Sequence, residues 1–429
     1  MPPADLTTVE RRVLDAIDVH TLIDNLVQLI RVPSTTGTDA ESDLQNSQAR
    51  ALGELGLEVD SWKFDLDELR SHPLYPGEET DRVEGYGVVG VTPGDGTPAL
   101  VLQGHIDVVP EGELDKWDGR DPFAGEIVGR VLHGRGACDM KAGVAANLAV
   151  VRALRAAGVA LERPLAVHSV MSEEDGGLGA FATMLRGHRG EAAVLTEPTT
   201  GRIVTACAGA LTFRIEVAGK AAHGSTRLSG VSAFDSFLPI DAAIKQLEAE
   251  RNANPDPLFR NYELPFGISI GKVHAGNWSS SVPESLVAEG RMGVLLGEDP
   301  ADARATFEER IAAVCARDPW LTDNPPLVTW PGGQFASGSI DAQHEFIDEV
   351  SGSISDLTGA VPERAAAPYG SDLRLYAGIG GIPTLHFGPG DVRFAHAVRE
   401  QVNLDELIAV TRSLALLAVR RCGAHLQRR

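Results

Sequence analysis

Apolar residues along this chain follow two alternating patterns, one typical of helices and one typical of strands. Val, Leu and Ile recur at helical spacing over 9–30, and after a polar break at 34–40 a second helix is predicted to end near residue 55. Strands are then predicted at 59–62, 88–91, 99–103, 165–171 and 193–196, and helices at 139–157 and 178–185. This alternation indicates a largely parallel sheet covered by helices on both faces.

The pattern changes in the middle of the chain. The predicted order there is a strand at 211–218, a helix at 232–251, strands at 266–273 and 286–295, and a helix at 302–316, which is typical of a small α+β unit. After residue 332 the α/β pattern resumes with a helix at 342–357, a strand at 383–386 and a helix at 404–420. We therefore expect a three-layer α/β domain with a mixed, largely parallel sheet from residues 1–208 and 331–429, and a smaller inserted α+β domain at 209–330.

The acidic composition argues against two classes of partner. The 429 residues include 38 basic and 60 acidic side chains, which gives a formal net charge of −22. Nucleic acids and anionic membranes both attract basic surfaces, so we expect neither as a partner. A small anionic substrate stays compatible with this charge, because bound cations can dominate the local field.

Three further features of the sequence bear on its location. Residues 1–8 have no basic segment followed by an apolar one, so no secretory signal is expected. No stretch of about 18 residues is free of charges and helix breakers, so no membrane span is expected. The cysteines lack CxxC spacing and predict reduced thiols of a cytoplasmic protein: Cys138, Cys207, Cys315 and Cys422.

The segment 101–110 contains the most informative pair of polar residues. An apolar strand ends there in Gly104, followed by His105 and Asp107. Alternation along an extended chain places both side chains on the same side. The Asp107 carboxylate can then accept the second imidazole N–H and so orient a histidine that binds a metal ion. Alone, His-x-Asp is a weak signal, and the other polar residues of the chain strengthen it.

Further acidic residues follow predicted strands or open a predicted helix. Asp139 lies in a glycine-rich turn that opens a helix. Glu173 and Glu174 lie just beyond one strand, and Glu197 follows the next. His396 comes after a late strand and a glycine-rich loop. Because ligand sites of open α/β sheets gather at the carboxyl ends of strands, we expect these residues to lie near the first histidine.

Two histidines with several carboxylates form a ligand set that suits Zn²⁺, with Co²⁺ or Mn²⁺ as substitutes. Five candidate ligands are too many for one tetrahedral catalytic zinc, so we expect two ions that share a bridging carboxylate. Neighbouring Glu173 and Glu174 point in different directions, so one can bind metal while the other stays free. A free glutamate beside a metal-bound water is suited to act as a general base.

Several residues also have ordinary structural interpretations. Glu173 and Glu174 could form a solvated turn, and Asp139 could serve only the N-terminal dipole of its helix. His386 competes with His396 as the late ligand, and we prefer His396 because it follows the glycine-rich loop. Cys138 is interpreted as a small packed residue rather than a ligand. The GxGxxG at 85–90 has no helix after it, so it predicts a strand and not a dinucleotide site.

These motifs, in this order, resemble the metallohydrolase family that contains acetylornithine deacetylase, succinyl-diaminopimelate desuccinylase, aminoacylase and carboxypeptidase G. The resemblance extends from about Leu22 to the final helix. It implies that His105, Asp139 and Glu197 hold one zinc, and that Asp139, Glu174 and His396 hold the other. Asp139 is then the bridging ligand.

The resemblance also implies roles for residues outside the ligand set. Glu173 is expected to be the general base, and Asp107 is expected to orient the first histidine. The inserted domain is expected to be a lid that mediates homodimerisation, with His223 stabilising the tetrahedral intermediate in the partner's site. Three residues are expected to bind substrate: Arg374 at a position that contacts a substrate carboxylate, Arg291 as a second arginine, and Ser371 in the segment Gly370-Ser-Asp-Leu-Arg.

The sequence therefore predicts a two-zinc deacylase for an N-acyl amino acid or a similar small carboxylate-bearing amide. A dipeptidase or carboxypeptidase on the same scaffold is the first alternative. The second is a non-catalytic dimeric binding protein, which loss of the base or of a ligand would favour. A nucleotide-binding α/β protein is disfavoured because the glycine motif lacks its helix.

Overall fold

The computed structural model describes residues 6–426, and residues 1–5 and 427–429 lie outside it. Most of residues 1–8, where no secretory signal is expected, therefore lie outside the described residues. Within the described residues no helix is long and apolar enough to cross a membrane. The α-helices are α1 (Thr8–Asp15), α2 (Val19–Ile30), α3 (Asp39–Glu54), α4 (Leu66–Ser71), α5 (Lys141–Ala156), α6 (Leu178–Leu185), α7 (Ala233–Arg251), α8 (Pro300–Cys315), α9 (Pro319–Asp323), α10 (Glu345–Thr358), α11 (Leu373–Ala377) and α12 (Leu404–Cys422).

The strands belong to four sheets. They are β1 (Glu58–Lys63), β2 (Tyr86–Val91), β3 (Leu100–His105), β4 (Glu126–Val128), β5 (Val131–His133), β6 (Val159–Leu161), β7 (Leu165–Val170), β8 (Ala193–Pro198), β9 (Ile203–Cys207), β10 (Gly209–Ala218), β11 (Ile268–Ala275), β12 (Ser285–Val294), β13 (Leu327–Thr329), β14 (Gln334–Phe335), β15 (Gly338–Ser339), β16 (Arg364–Ala367), β17 (Thr384–Gly388), β18 (Gln401–Asn403) and β19 (Ala424–Leu426).

The largest sheet has nine strands in the order β1-β2-β7-β3-β8-β17-β9-β15, with β16 paired to β9. Its centre is parallel, because β7, β3, β8 and β17 pair in parallel. Towards the edges β1, β2, β9 and β15 pair antiparallel. The sheet is therefore mixed with a parallel centre, and the predicted fold class is confirmed.

Helices cover both faces of this sheet. The alanine-rich helix α5 lies close to β3 because Gly104 has no side chain; a Cβ there would lie 2.9 Å from Val144. Helix α12 packs against α5, and most of its residues are buried. On the opposite face α11 places the hydroxyl of Tyr376 2.9 Å from Nδ1 of His168 on β7. The result is the expected three-layer arrangement.

A second, five-stranded sheet forms the inserted unit, with the order β11-β12-β10-β13 and β14 paired to β10. Alternating residues of β10 are buried under α7 and α8, and the rings of Phe213 and Phe307 lie 4.7 Å apart in this separate core. The unit has its own hydrophobic core, as expected of an inserted domain. Its boundaries at residues 209 and 330 stay a prediction.

Two details differ from the predicted pattern. The single helix over 9–30 is wrong: α1 ends at Asp15, and α2 begins anew after Asp18, whose extended backbone and side chain cap the N–H of Thr21. Short strands such as β4, β5 and β18 were missed because three residues carry too little pattern. The GxGxxG segment is strand β2, as predicted; a Cβ at Gly87 would meet the ring of Trp62 at 2.0 Å.

Candidate metal centre and active site

The carboxyl ends of four adjacent parallel strands bring the predicted residues together. His105 is the last residue of β3, and Glu197 lies near the end of β8. Glu173 and Glu174 follow β7, and His396 follows β17 after a glycine-containing loop. All of these ends lie at the same edge of the sheet, where open α/β sheets bind ligands.

Asp139 stands between the two histidines and faces each with a different oxygen. Its Oδ1 lies 3.1 Å from His105 Nε2, and its Oδ2 lies 3.5 Å from His396 Nε2. His105 Nε2 is also 4.0 Å from Glu197 Oε1, and His396 Nε2 is 2.9 Å from Glu174 Oε2. The five residues thus form two groups, each with one histidine and one glutamate, joined by Asp139.

The donor atoms fit divalent metal ions. Ligand atoms of His105, Asp139 and Glu174 all lie within 4.8 Å of one another. Glu197 Oε1 is buried and has no hydrogen-bond partner, and a buried carboxylate oxygen without a partner is costly unless a cation satisfies it. Imidazole nitrogens and carboxylate oxygens are the ligands of catalytic zinc.

The electrostatics of the site also favour cations. Burial and neighbouring carboxylates raise the pKa of Glu173, Glu174 and Glu197. Burial acts on Asp139 too, but hydrogen bonds from His105 and His396 outweigh it and hold that pKa well below its usual range. Neighbouring buried carboxyl groups either hold protons or share a cation, so a bound metal ion would stabilise their charged form.

The segment that carries Glu173 and Glu174 is held by Asp107. The backbone N–H groups of Glu173 and Glu174 donate to the two Asp107 carboxylate oxygens at 3.2 and 3.1 Å, and the Thr36 hydroxyl donates to one of them at 3.0 Å. The closest Asp107 atom to His105 Nδ1 is the backbone carbonyl oxygen, at 3.0 Å, whereas Oδ1 lies at 3.6 Å. The expected orientation of His105 is therefore supplied mainly by the carbonyl, and the carboxylate orients the glutamates.

A buried ionic cluster beneath this segment was not predicted. The Glu41 carboxylate accepts hydrogen bonds from the Ser172 backbone N–H at 2.9 Å and from Arg82 Nη1 at 3.2 Å. The Nη2 atom of the same arginine lies 3.4 Å from Asp175 Oδ2. Ser172 has a left-handed backbone, with φ 61°. Only the tertiary fold joins these distant residues, so no local pattern could have revealed them.

Four of the five candidate ligands, Asp139, Glu174, Glu197 and His396, line a cleft of about 230 Å³. The only cluster of at least three potential metal-binding side chains among residues 6–426 lies at this cleft. A larger cavity, of about 670 Å³, lies elsewhere, beside β1, β2 and β7. Tyr369 and apolar side chains form part of the wall, and none of the cleft's described lining residues is a lysine or arginine. The non-ionic lining residues are Pro198, Tyr369, Gly370, Ser371, Val392 and Ala395.

The three predicted substrate-binding residues take different places. Ser371 lines the cleft, and its hydroxyl lies 3.0 Å from Nε2 of His386. Arg374 is buried and donates to the backbone carbonyls of Ser371 and Gly176 at 2.8 and 2.7 Å, so its guanidinium binds the chain itself and not the cleft. Arg291 donates to the backbone carbonyl of Pro368 at 3.2 Å. Pro368 is the residue before Tyr369, which forms part of the cleft wall.

The structure also shows where the remaining candidate residues lie. His386 is fully buried and is not among the residues that line the cleft, and burial lowers its pKa to about 3. Cys138 is buried, with Sγ 3.2 Å from the Asp391 carbonyl, which agrees with a packed residue; all four cysteines are free and buried. His223 is exposed on the inserted unit, and it is not one of the residues that line the cleft of its own chain.

The chain belongs to Peptidase family M20/M25/M40, because the model of that family matches residues 101–420. This match covers well over half of the chain and includes every predicted metal ligand. The predicted family is therefore confirmed. The protein is a hydrolase of amide bonds in a metal-dependent family, which leaves no support for the non-catalytic alternative.

Individual relatives agree with this assignment. The chain is 27% identical over 389 residues to the N-formyl-4-amino-5-aminomethyl-2-methylpyrimidine deformylase of Halalkalibacterium halodurans, covering 84% of each chain. It is 28% identical over 348 residues to a succinyl-diaminopimelate desuccinylase of Rhodopseudomonas palustris, covering 75% of this chain and 83% of the relative. A di-peptidase from Saccharomyces cerevisiae has the same fold, with a TM-score of 0.76, 13% identity, and coverage of 96% of this chain and 98% of that one.

Proposed function

We propose that this hydrolase is a two-zinc deacylase that cleaves the amide bond of an N-acyl amino acid or a similar small carboxylate-bearing amide. The observation that carries the proposal is the position of Asp139, whose two oxygens face His105 and His396 separately. One ion would be held by His105, Asp139 and Glu197, and the other by Asp139, Glu174 and His396. Co²⁺ is the expected substitute, since it accepts the same ligands and geometry.

The chain's own residues supply the proton transfers. A zinc ion held by these residues would supply a coordinated water with a pKa lowered towards about 7 and would polarise the acyl carbonyl. Glu173, which lines the cleft beside the ligands, takes a proton from the attacking water and delivers it to the leaving amine. The partner's His223 donates a hydrogen bond to the oxygen that becomes negative as the carbonyl is attacked.

Deacylation is favoured over peptide hydrolysis by the names of two relatives. The two relatives described above remove a formyl and a succinyl group according to their names. A cleft of about 230 Å³ suits a small amide substrate. Arg291, whose guanidinium donates to the carbonyl of Pro368 next to the lining residue Tyr369, is the candidate for a substrate carboxylate.

The lid is the proposed dimerisation domain. It exposes large apolar side chains, among them Leu228 at 90% and Trp278 at 71%, which a partner subunit would cover in the proposed dimer. Its edge strand β11 is largely exposed as well. A cytoplasmic homodimer is consistent with this surface and with four reduced, buried cysteines.

Hydrolysis assays on the zinc-loaded protein test the proposal. A panel of N-formyl, N-acetyl and N-succinyl amino acids, their amide-capped forms, and dipeptides should show that acyl amino acids are cleaved with the highest kcat/KM. Chelator-treated protein is the control and should be inactive until zinc is restored. Faster cleavage of dipeptides would establish the dipeptidase alternative, and no cleavage of any amide would contradict both.

A further inference from the structure

A buried carboxylate four residues beyond His396 holds the turn that contains Asp139. Glu400 is 1% exposed. Its Oε1 accepts the backbone N–H groups of Cys138 and Asp139, both at 3.0 Å. Its Oε2 accepts a bond from Arg135 Nη1 at 2.5 Å. Both oxygens are therefore engaged on the segment that precedes the bridging ligand.

Arg135 extends the same connection to the segment of His396. The arginine is 2% exposed, and the Nη1 atom that meets Glu400 also lies 3.3 Å from the carbonyl oxygen of Ala397. Its Nη2 donates to the carbonyl of Pro110 at 3.2 Å, beyond β3. One buried ion pair thus joins the turn of Asp139, the turn of His396 and the segment that follows His105.

A buried ion pair is rarely kept for stability alone, because removing two charges from water costs about as much as their attraction returns. Here the pair satisfies two backbone N–H groups in the turn that contains Asp139. A shift of that turn would move the Asp139 carboxylate, which both proposed ions share. The backbone of His396 is left-handed, with φ 59°, which is unfavourable for a non-glycine residue. Neighbouring contacts must hold such a conformation in place.

We propose that Glu400, with Arg135, is a positioning residue of the metal centre that sets Asp139 relative to His396. Glu400 touches neither substrate nor metal; it acts through the backbone of Asp139. This inference rests on the proposed metal centre and adds a residue to it. The sequence signal is the spacing His396-x-x-x-Glu400, which the ligand pattern alone does not single out.

The test compares Glu400→Gln with a matched variant in the lid. Glu298 is partly buried, accepts the Leu295 N–H at 2.8 Å and pairs with Arg251 Nη1 at 2.9 Å. Glu400→Gln should weaken zinc binding by about 10- to 100-fold in chelator competition and change the visible spectrum of the cobalt-substituted protein. Glu298→Gln should lower thermal stability but leave zinc affinity and the cobalt spectrum unchanged.

A double variant, Arg135→Met with Glu400→Gln, removes the unpaired charge and protects the fold. It should keep the thermal stability of the unmodified apoprotein and still bind zinc about 10- to 100-fold more weakly. If the unmodified protein binds zinc and both Glu400 variants bind it equally well, the positioning role is wrong. If the unmodified protein binds no zinc, the proposed function itself has failed.

Discussion

Among single residues, neighbouring Glu173 and Glu174 have different surroundings. Glu174 Oε2 lies 2.9 Å from His396, and Glu173 lines the cleft. Both side chains line the cleft, and the Asp107 carboxylate accepts both backbone N–H groups. The contact with His396 supports Glu174 as the ligand and leaves Glu173 as the candidate base.

Replacing Glu173 by Gln tests the assignment of the base. The amide keeps the shape of the side chain but cannot take a proton from water, so kcat should fall about 10²- to 10⁴-fold. Zinc content, measured by elemental analysis, and KM should change little, because Glu173 is not a proposed ligand. Loss of zinc with unchanged turnover per bound metal would show that the roles of Glu173 and Glu174 are exchanged.

Replacing Arg374 by Lys distinguishes a structural role from substrate binding. Lysine cannot serve both carbonyls with a planar fork, so the free energy of unfolding in urea should fall by about 1–3 kcal/mol. KM should change by the same factor for acidic substrates and their amide-capped analogues. A selective rise for acidic substrates would restore the role expected from the family resemblance.

The kinds of residues at the site could be predicted from the sequence, but their pairings could not. His105, Asp139 and Glu197 were identifiable because each lies at a strand end or a helix start, and such positions meet at one edge of the sheet. Contacts such as Glu400 with the Asp139 N–H join residues far apart in the chain. Arg374 was singled out by its motif as a substrate-binding residue. A motif does not reveal which groups a side chain contacts, and here the guanidinium donates to two backbone carbonyls.

Among the helices and strands, α5 connects the core to the proposed metal centre. It begins just after Asp139, and its Gly143 lies against β8, where a Cβ would be 2.2 Å from the carbonyl oxygen of Thr196. Thr196 precedes Glu197. The close approach of helix and strand therefore fixes two proposed ligands relative to each other.

Gly143→Ala should disturb this contact. A Cβ so close to backbone requires a shift of the helix, which should lower the free energy of unfolding by about 1–3 kcal/mol in urea denaturation. Gly352 in α10 is the control, because it is also within a helix and a Cβ added to it would have nothing within 4 Å. Gly352→Ala should raise stability by about 0.5–1 kcal/mol; equal destabilisation by both variants would mean that the contact with β8 is unimportant.

The long elements were predictable because their apolar periods extend over many residues. Helix α6 and strand β7 lie almost where the pattern placed them. The break at Asp18 was missed because the apolar period continues across it, while the N-cap contact depends on local backbone geometry. Short strands such as β14 exist only through pairing with distant strands, so their sequences alone are uninformative.

For the molecule as a whole, the proposed lid places His223 apart from the cleft of its own chain. His223 is exposed, and its Nδ1 lies 2.7 Å from the Ser225 hydroxyl. A site completed by the partner would explain why a proposed catalytic histidine lies outside its own chain's cleft. Homodimerisation and catalysis are then linked.

Subunit mixing tests this arrangement. Glu173→Ala and His223→Ala, each inactive alone, should recover about a quarter of the unmodified activity after exchange, since half of the dimers are mixed and each has one intact site. Glu173→Ala mixed with His105→Ala is the control and should stay inactive, because both lesions lie in the same domain. No recovery despite confirmed exchange would place His223 in its own chain's site.

The number of zinc ions per chain decides whether Asp139 bridges two metals. Elemental analysis of protein saturated with zinc and freed of excess should give about two ions per chain, because the ligand set exceeds what one tetrahedral ion needs. His396→Ala should keep about one ion, and Asp139→Ala should lose most of both. Saturation of the unmodified protein at a single ion, or two ions retained by Asp139→Ala, would contradict the proposed two-zinc centre.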